Sequence, residues 1–174
     1  MASALRSTDI GADTLTYCRE YQNIRTLSFK DAMEFRWEQG YVAVNWVLGQ
    51  FFESERALLV FLTIFILIPI VGWIKKESKY PLLSLVMFIG MGMWNASIGI
   101  FRQWCAIAIL TFSYKYIKAR RFIPFLMVVL IAMLFHRTAA IFLLAYFVEG
   151  IPLNMNTIIA TVPASVMVGL MGDK

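Results

Sequence analysis

The run from Asn95 to Arg137, NASIGIFRQWCAIAILTFSYKYIKARRFIPFLMVVLIAMLFHR, decides the fold. Two apolar stretches, Gln103 to Ile117 and Phe122 to Phe135, are joined by the basic turn Lys118-Ala119-Arg120-Arg121. Their far ends carry two polar knots, Ile100-Phe101-Arg102-Gln103-Trp104 and Phe135-His136-Arg137-Thr138-Ala139. This is the pattern of two helices in lipid turning back at a charged boundary. An ionisable side chain near bilayer depth costs several kcal/mol unless it pairs or meets water, which makes Arg102 and His136 functional candidates.

The flanking chain fits the same solvent. Of the 174 residues 60% are hydrophobic and the mean hydropathy is +0.69, far above the soluble range. Ala57 to Ile74 is the clearest span, closed by Lys75-Lys76-Glu77-Ser78-Lys79, with a kink expected at Pro69. Pro81 to about Trp94 returns, Asn95 to Gly99 is a break of small residues, and Ala139 to Val148 follows His136. Thr157 to Met171 is a last apolar stretch. Several of these segments have only about 14 to 16 residues, roughly 21 to 24 Å of helix, too short for a full bilayer. The fold class expected is therefore all-α, a polytopic helical membrane protein with short and broken transmembrane helices.

Before Arg56 the chain is polar and mixed in charge, and we divide it into an extracytoplasmic segment, 1–56, and a multi-span domain, 57–174. In the first, Ser28 is the expected N-cap of a short helix, and Gly40 to Phe52 is too short to cross and suits the interface. No basic region followed by an apolar run opens the chain. Up to Arg56 there are 6 Lys and Arg against 8 Asp and Glu, and beyond it 10 against 3. The excess sits in the short turns around Lys75 to Lys79 and Lys115 to Arg121, so those turns are expected in the cytoplasm. Arg102, His136 and the acidic N-terminal stretch then share the outer face.

The charge thus reports topology, and no basic patch with interleaved aromatics suggests nucleic acid. Cys18 and Cys105 lack zinc or disulfide spacing, and no Walker loop, nucleophile elbow or Rossmann glycine run occurs, so neither metal nor cofactor is expected. An outward-facing Arg102 suits a phosphate or diphosphate, or else it snorkels to the interface. His136, between two apolar half-helices, suits proton transfer or hydrogen bonding to a sugar, or else it caps the preceding helix. Asp13 is a candidate base or a partner for Arg6, against a solvated loop, and Glu38 is a candidate ligand or a simple helix cap.

Four stretches together resemble the EpsG family of exopolysaccharide-synthesis membrane proteins, related to Wzy-type polysaccharide polymerases. They are Leu5-Arg6 with Gly11-Ala12-Asp13-Thr14 and Tyr17; Glu38-Gln39-Gly40-Tyr41; Arg102-Gln103 with Ala106 and Ala108; and Ala132-Met133-Leu134-Phe135-His136-Arg137-Thr138-Ala139. Gln39 stands where the family often has proline, and Thr138 where it has serine. The resemblance implies a GT-C-like polymerase that joins oligosaccharide repeat units carried on undecaprenyl diphosphate, at the outer face of the bacterial cytoplasmic membrane. In that reading Arg102, His136 and Asp13 are catalytic, while Arg6, Tyr17, Glu38 and Gln103 bind substrate. Its partners are the lipid-linked oligosaccharide, the bilayer and other polysaccharide-assembly proteins. Relatives carry further membrane segments before Arg6 and after the His136 region, so a fragment is expected. A non-catalytic subunit or inactive remnant of a polysaccharide machine is the alternative. A lipid-linked sugar flippase ranks third, because the charged residues gather outside and not at the midplane.

Overall fold

A computed structural model describes residues 13–150, and among them every regular element is a helix. Helix α1 (Thr14–Arg25) buries Tyr17, Cys18, Tyr21 and Ile24 on one face, a spacing that matches the helical period. The short α2 (Phe29–Met33) begins as expected at Ser28, whose hydroxyl accepts from the Asp31 backbone N–H at 3.2 Å and donates to the Asp31 carboxylate at 2.7 Å. Helix α3 (Gln39–Phe51) takes the predicted interfacial stretch, and α1 and α2 both pack on it.

Helix α4 (Glu55–Glu77) has 23 residues, about 34 Å at the helical rise, and starts at a Ser54 cap. Leu58, Leu62, Ile66, Ile70 and Ile74 form its buried stripe, while Phe61, Ile64, Ile68 and Val71 on the other side are exposed. A helix apolar all round belongs in lipid or deep in protein, and this one keeps one apolar face open. Pro69 lies inside α4 without ending it. Among the described residues α4 alone is long and apolar enough to cross a membrane, on length and composition. Three further apolar pieces, Pro81–Gly90, Phe122–Met133 and Arg137–Val148, are shorter.

The return after α4 is more broken than its sequence suggests. Helix α5 (Pro81–Gly90) stops before Gly92, which takes φ +76, and α6 (Met93–Ser97) starts afresh. A residue with a side chain is strained at that φ, so the glycine sets the break. Helix α7 (Phe101–Leu110) begins two residues before the expected Gln103 and puts Arg102 in its first turn. It runs through a 3-10 turn, Thr111–Ser113, into α8 (Tyr114–Lys118). After the basic turn come α9 (Phe122–Met133), an extended His136, a 3-10 stretch Arg137–Phe142 and α10 (Leu143–Val148).

Helix α7 packs on α4 on one side and on α9 on the other. One core gathers Tyr21, Tyr41, Leu58, Leu62 and Phe101, and the other gathers Ile109, Phe125, Val129 and Ala132. Phe65 and Phe135, stacked at 5.6 Å, belong to the edge of both and join them. Leu82, Val86 and Ile89 of α5 and Ile123, Met127 and Leu130 of α9 stay exposed, a large apolar surface that lipid or further helices would cover. Thr157 to Met171 lies outside the described residues.

Candidate functional site

The site is made where the start of α3 meets the end of α9. The first N–H groups of a helix and its last carbonyls lack partners within the helix. Here the two sets serve each other: the Leu134 carbonyl accepts from the Gly40 N–H at 2.8 Å and from the Tyr41 N–H at 3.3 Å. Only glycine allows this approach, since a Cβ at position 40 would lie 2.8 Å from both the Cβ and the carbonyl oxygen of Leu134. The contact brings Glu38, just before α3, against His136, just after α9.

Glu38 is the hub. Its Oε2 accepts from Arg102 Nη1 at 2.8 Å, and its Oε1 accepts from the Arg137 backbone N–H at 3.3 Å. The same Oε1 lies 3.6 Å from His136 Nδ1, an ion-pair distance when the imidazole is protonated. The carboxylate side chain is only 10% exposed, against 27% for Arg102 and 23% for His136. Burial acts to raise its pKa. That is outweighed by its own backbone N–H, by the hydrogen bond and charge of Arg102 and by the Arg137 N–H, so Glu38 sits below the ordinary carboxylate value. The reading of Glu38 as a helix cap is thereby corrected: it occupies the N-cap position of α3, but its side chain makes no capping bond and turns to Arg102 and Arg137.

Aromatic rings close the other side. The Arg102 guanidinium lies 5.1 Å from the Trp37 ring centre, the range of a cation–π contact. Trp37 meets Tyr17 and Tyr41 at 5.5 Å and 5.6 Å between centroids, and Tyr17 meets Phe101 at 5.5 Å. Tyr17 is almost fully buried; burial pushes its phenol up, and a hydrogen bond and the charge of Arg102 pull it partly back. The buried Arg102 Nε and His136 Nδ1 make no hydrogen bond to a described residue. Both are polar handles in a low-exposure setting.

Two hollows flank the Glu38–His136 contact. One, about 310 Å³, is lined by Phe35, Trp37, Glu38, Gln39 and Arg137. The other, about 350 Å³ and mainly apolar, has Gln103, His136 and Thr138 along with Ile107, Leu110 and Phe142. A charged and aromatic cup therefore lies on one side of the hub and a greasy cleft on the other.

The model of the EpsG family matches residues 1–172, nearly the whole chain. The chain belongs to the EpsG family. It is accordingly an exopolysaccharide-synthesis membrane protein. No curated protein and no solved structure gives a significant match. Of the EpsG-like stretches, the Glu38, Arg102 and His136 elements converge on one point, and Tyr17 joins them from the first. Gln103 is exposed and lines the apolar cleft. Asp13 is exposed at the N-cap of α1, one turn before Tyr17, on whose phenol its charge acts. Arg6 lies outside the described residues.

Sequence reasoning missed the place of Trp37 under Arg102. Its position next to Glu38, in a run of Phe35, Trp37 and Tyr41, is the one signal that could have found it. No group of three or more His, Cys, Asp or Glu side chains suited to hold a metal occurs among the described residues.

Proposed function

We propose that this EpsG-family chain joins lipid-linked oligosaccharide repeat units by glycosyl transfer, at the outer face of the bacterial cytoplasmic membrane, as a multi-pass protein. The observation that carries the proposal is Glu38 shared by Arg102 and His136, between a charged aromatic cup and an apolar cleft. Aromatic faces with carboxylate, amide and guanidinium neighbours suit sugar rings, and an apolar cleft suits an isoprenoid tail. The junction of the two is where a sugar–diphosphate bond would lie.

In the reaction, a hydroxyl oxygen of the acceptor sugar forms a bond to the anomeric carbon of the donor. The anomeric carbon–oxygen bond breaks, and its electron pair leaves with undecaprenyl diphosphate. The hydroxyl proton passes to His136 Nε2, and the imidazolium formed is stabilised through Nδ1 by Glu38 Oε1. Arg102 stabilises the charge growing on the leaving diphosphate, using donors not committed to Glu38. Tyr17 and Trp37 hold its guanidinium in place. Arg6 and Asp13 remain proposed contributors from the first element, and Gln103 a proposed ligand at the cleft.

A second reading draws on the same geometry. Arg102 is already paired with Glu38 and stacked on Trp37, as a structural ion pair would be, which favours a non-catalytic subunit. Membranes bearing the chain, supplied with undecaprenyl-diphosphate-linked repeat units, separate the two. The enzyme makes polymer, and Arg102→Ala abolishes it while the protein still inserts. Polymer of wild-type length from that variant removes the proposal.

A further inference from the structure

At the opposite end of α4 and α7 from the Glu38 hub, a second place combines shape and charge. Two apolar clefts lie on either side of Trp73. The first, about 310 Å³, is lined by Ile68, Pro69, Gly72, Thr111 and Phe112, and by Lys76 and Lys115. The second, about 470 Å³ and almost wholly apolar, is lined by Ile70, Met87, Phe88, Met91, Trp104 and Ile107. Trp73 and Thr111 line both, so they form the partition. Volumes of this size are those of small-molecule and lipid sites, roughly 300 to 1,000 Å³.

The partition is fixed. Trp73 meets Tyr114 edge-on at 5.7 Å, and Phe88 and Trp104 meet edge-on at 5.9 Å in the second cleft. Gly72 of α4 lines the first cleft and has open space beside it: a Cβ at that position would meet nothing within 4 Å. Its rim is basic. Glu77, the acidic side chain at the rim, already binds Lys118 at 3.1 Å and lies 3.8 Å from Lys76. Lys76, largely exposed, and Lys115 remain to face a ligand, with Lys75 and Lys79 close by in sequence.

We infer that this place binds a diacyl anionic phospholipid, with one acyl chain on each side of Trp73 and the headgroup phosphate between Lys76 and Lys115. Paired clefts call for two tails, and the lysines at one rim call for a single negative headgroup. A single-tailed isoprenoid would leave one cleft unfilled. The inference needs the chain to sit in a membrane but does not depend on glycosyl transfer.

The full chain, purified in mild detergent and titrated with phosphatidylglycerol, lysophosphatidylglycerol and phosphatidylcholine, tests it by native mass spectrometry. Phosphatidylglycerol is retained most, the one-tailed and zwitterionic lipids less. Lys76→Gln and Lys115→Gln each lower phosphatidylglycerol retention by about fivefold, the worth of a lysine near an anionic lipid surface. Gly72→Leu, which fills the first cleft, lowers retention of both two-tailed lipids, with circular dichroism verifying that the helices are intact. Equal retention of phosphatidylglycerol and phosphatidylcholine by the wild type overturns the inference, as does wild-type retention in Gly72→Leu. Polymer formation is a separate readout, so loss of one reading leaves the other standing.

Discussion

The two ends of the helical bundle handle charge in opposite ways. At one end Glu38 and Arg102, far apart in the chain, turn inward, pair at 2.8 Å and are walled by Trp37 and Tyr17. At the other, Lys118 and Glu77 pair at 3.1 Å at the surface, and Lys118 lies 4.6 Å from the Tyr114 ring. Solvent and salt screen the second pair, so its contribution is small. In the first, each partner removed leaves a poorly hydrated charge behind. A half-buried pair kept at that cost marks the end where the proposed chemistry is expected, whereas the surface charges at the other end belong to the proposed lipid contact.

Arg102→Ala should break this contrast most. It strands Glu38, and we expect a loss of about 2 kcal/mol in thermal or denaturant unfolding, short of the roughly 3 to 5 for fully buried pairs because Arg102 is partly exposed. Polymer synthesis should fall by about 10² to 10³-fold or more. His136→Gln separates chemistry from folding: synthesis should drop by about 10² to 10⁴-fold with the unfolding midpoint little changed. A large drop in the midpoint instead would make His136 a structural residue.

Gly40→Val should push α3 off Leu134, costing about 1 to 3 kcal/mol as overpacking does, and carry Glu38 away from His136. Gly72→Val, with open space around its Cβ, should cost far less, so similar losses at both positions would contradict the close approach.

Acid gives a finer test. Because the folded-state pKa of Glu38 is depressed, its stabilising contribution is fully present above the ordinary value of 4.5 and is lost as pH falls through the lower folded value. The gap in unfolding midpoint between wild type and Glu38→Gln should therefore hold steady above pH 4.5 and close below it. Lys118→Ala should change the midpoint least of all.

What could be read in the residues follows from the range of the forces involved. The Ser28 cap is local, and the structure repeats it. The joint placement of Arg102 and His136 at one end came from counting alternating apolar stretches and basic turns, and the Glu38 contacts agree with it. The number of crossings was less legible, because total hydrophobicity does not divide itself among helices: among the described residues α4 alone has spanning length, while α5 and α9 are short. The partner of Glu38 was not legible, since a carboxylate before a helix reads as a cap and its guanidinium lies 64 residues away. Trp37 was hidden for the same reason, as nothing local distinguishes a ring at the interface from one beneath a cation.

The shared Leu134 carbonyl carries a consequence for biogenesis. Glu38 emerges from the ribosome early, but the group it must face is delivered only when α9 has been synthesised and has docked. A nascent chain stalled before that point holds its earlier helices without an assembled pocket, so the docking of α9 on the start of α3 completes the candidate site.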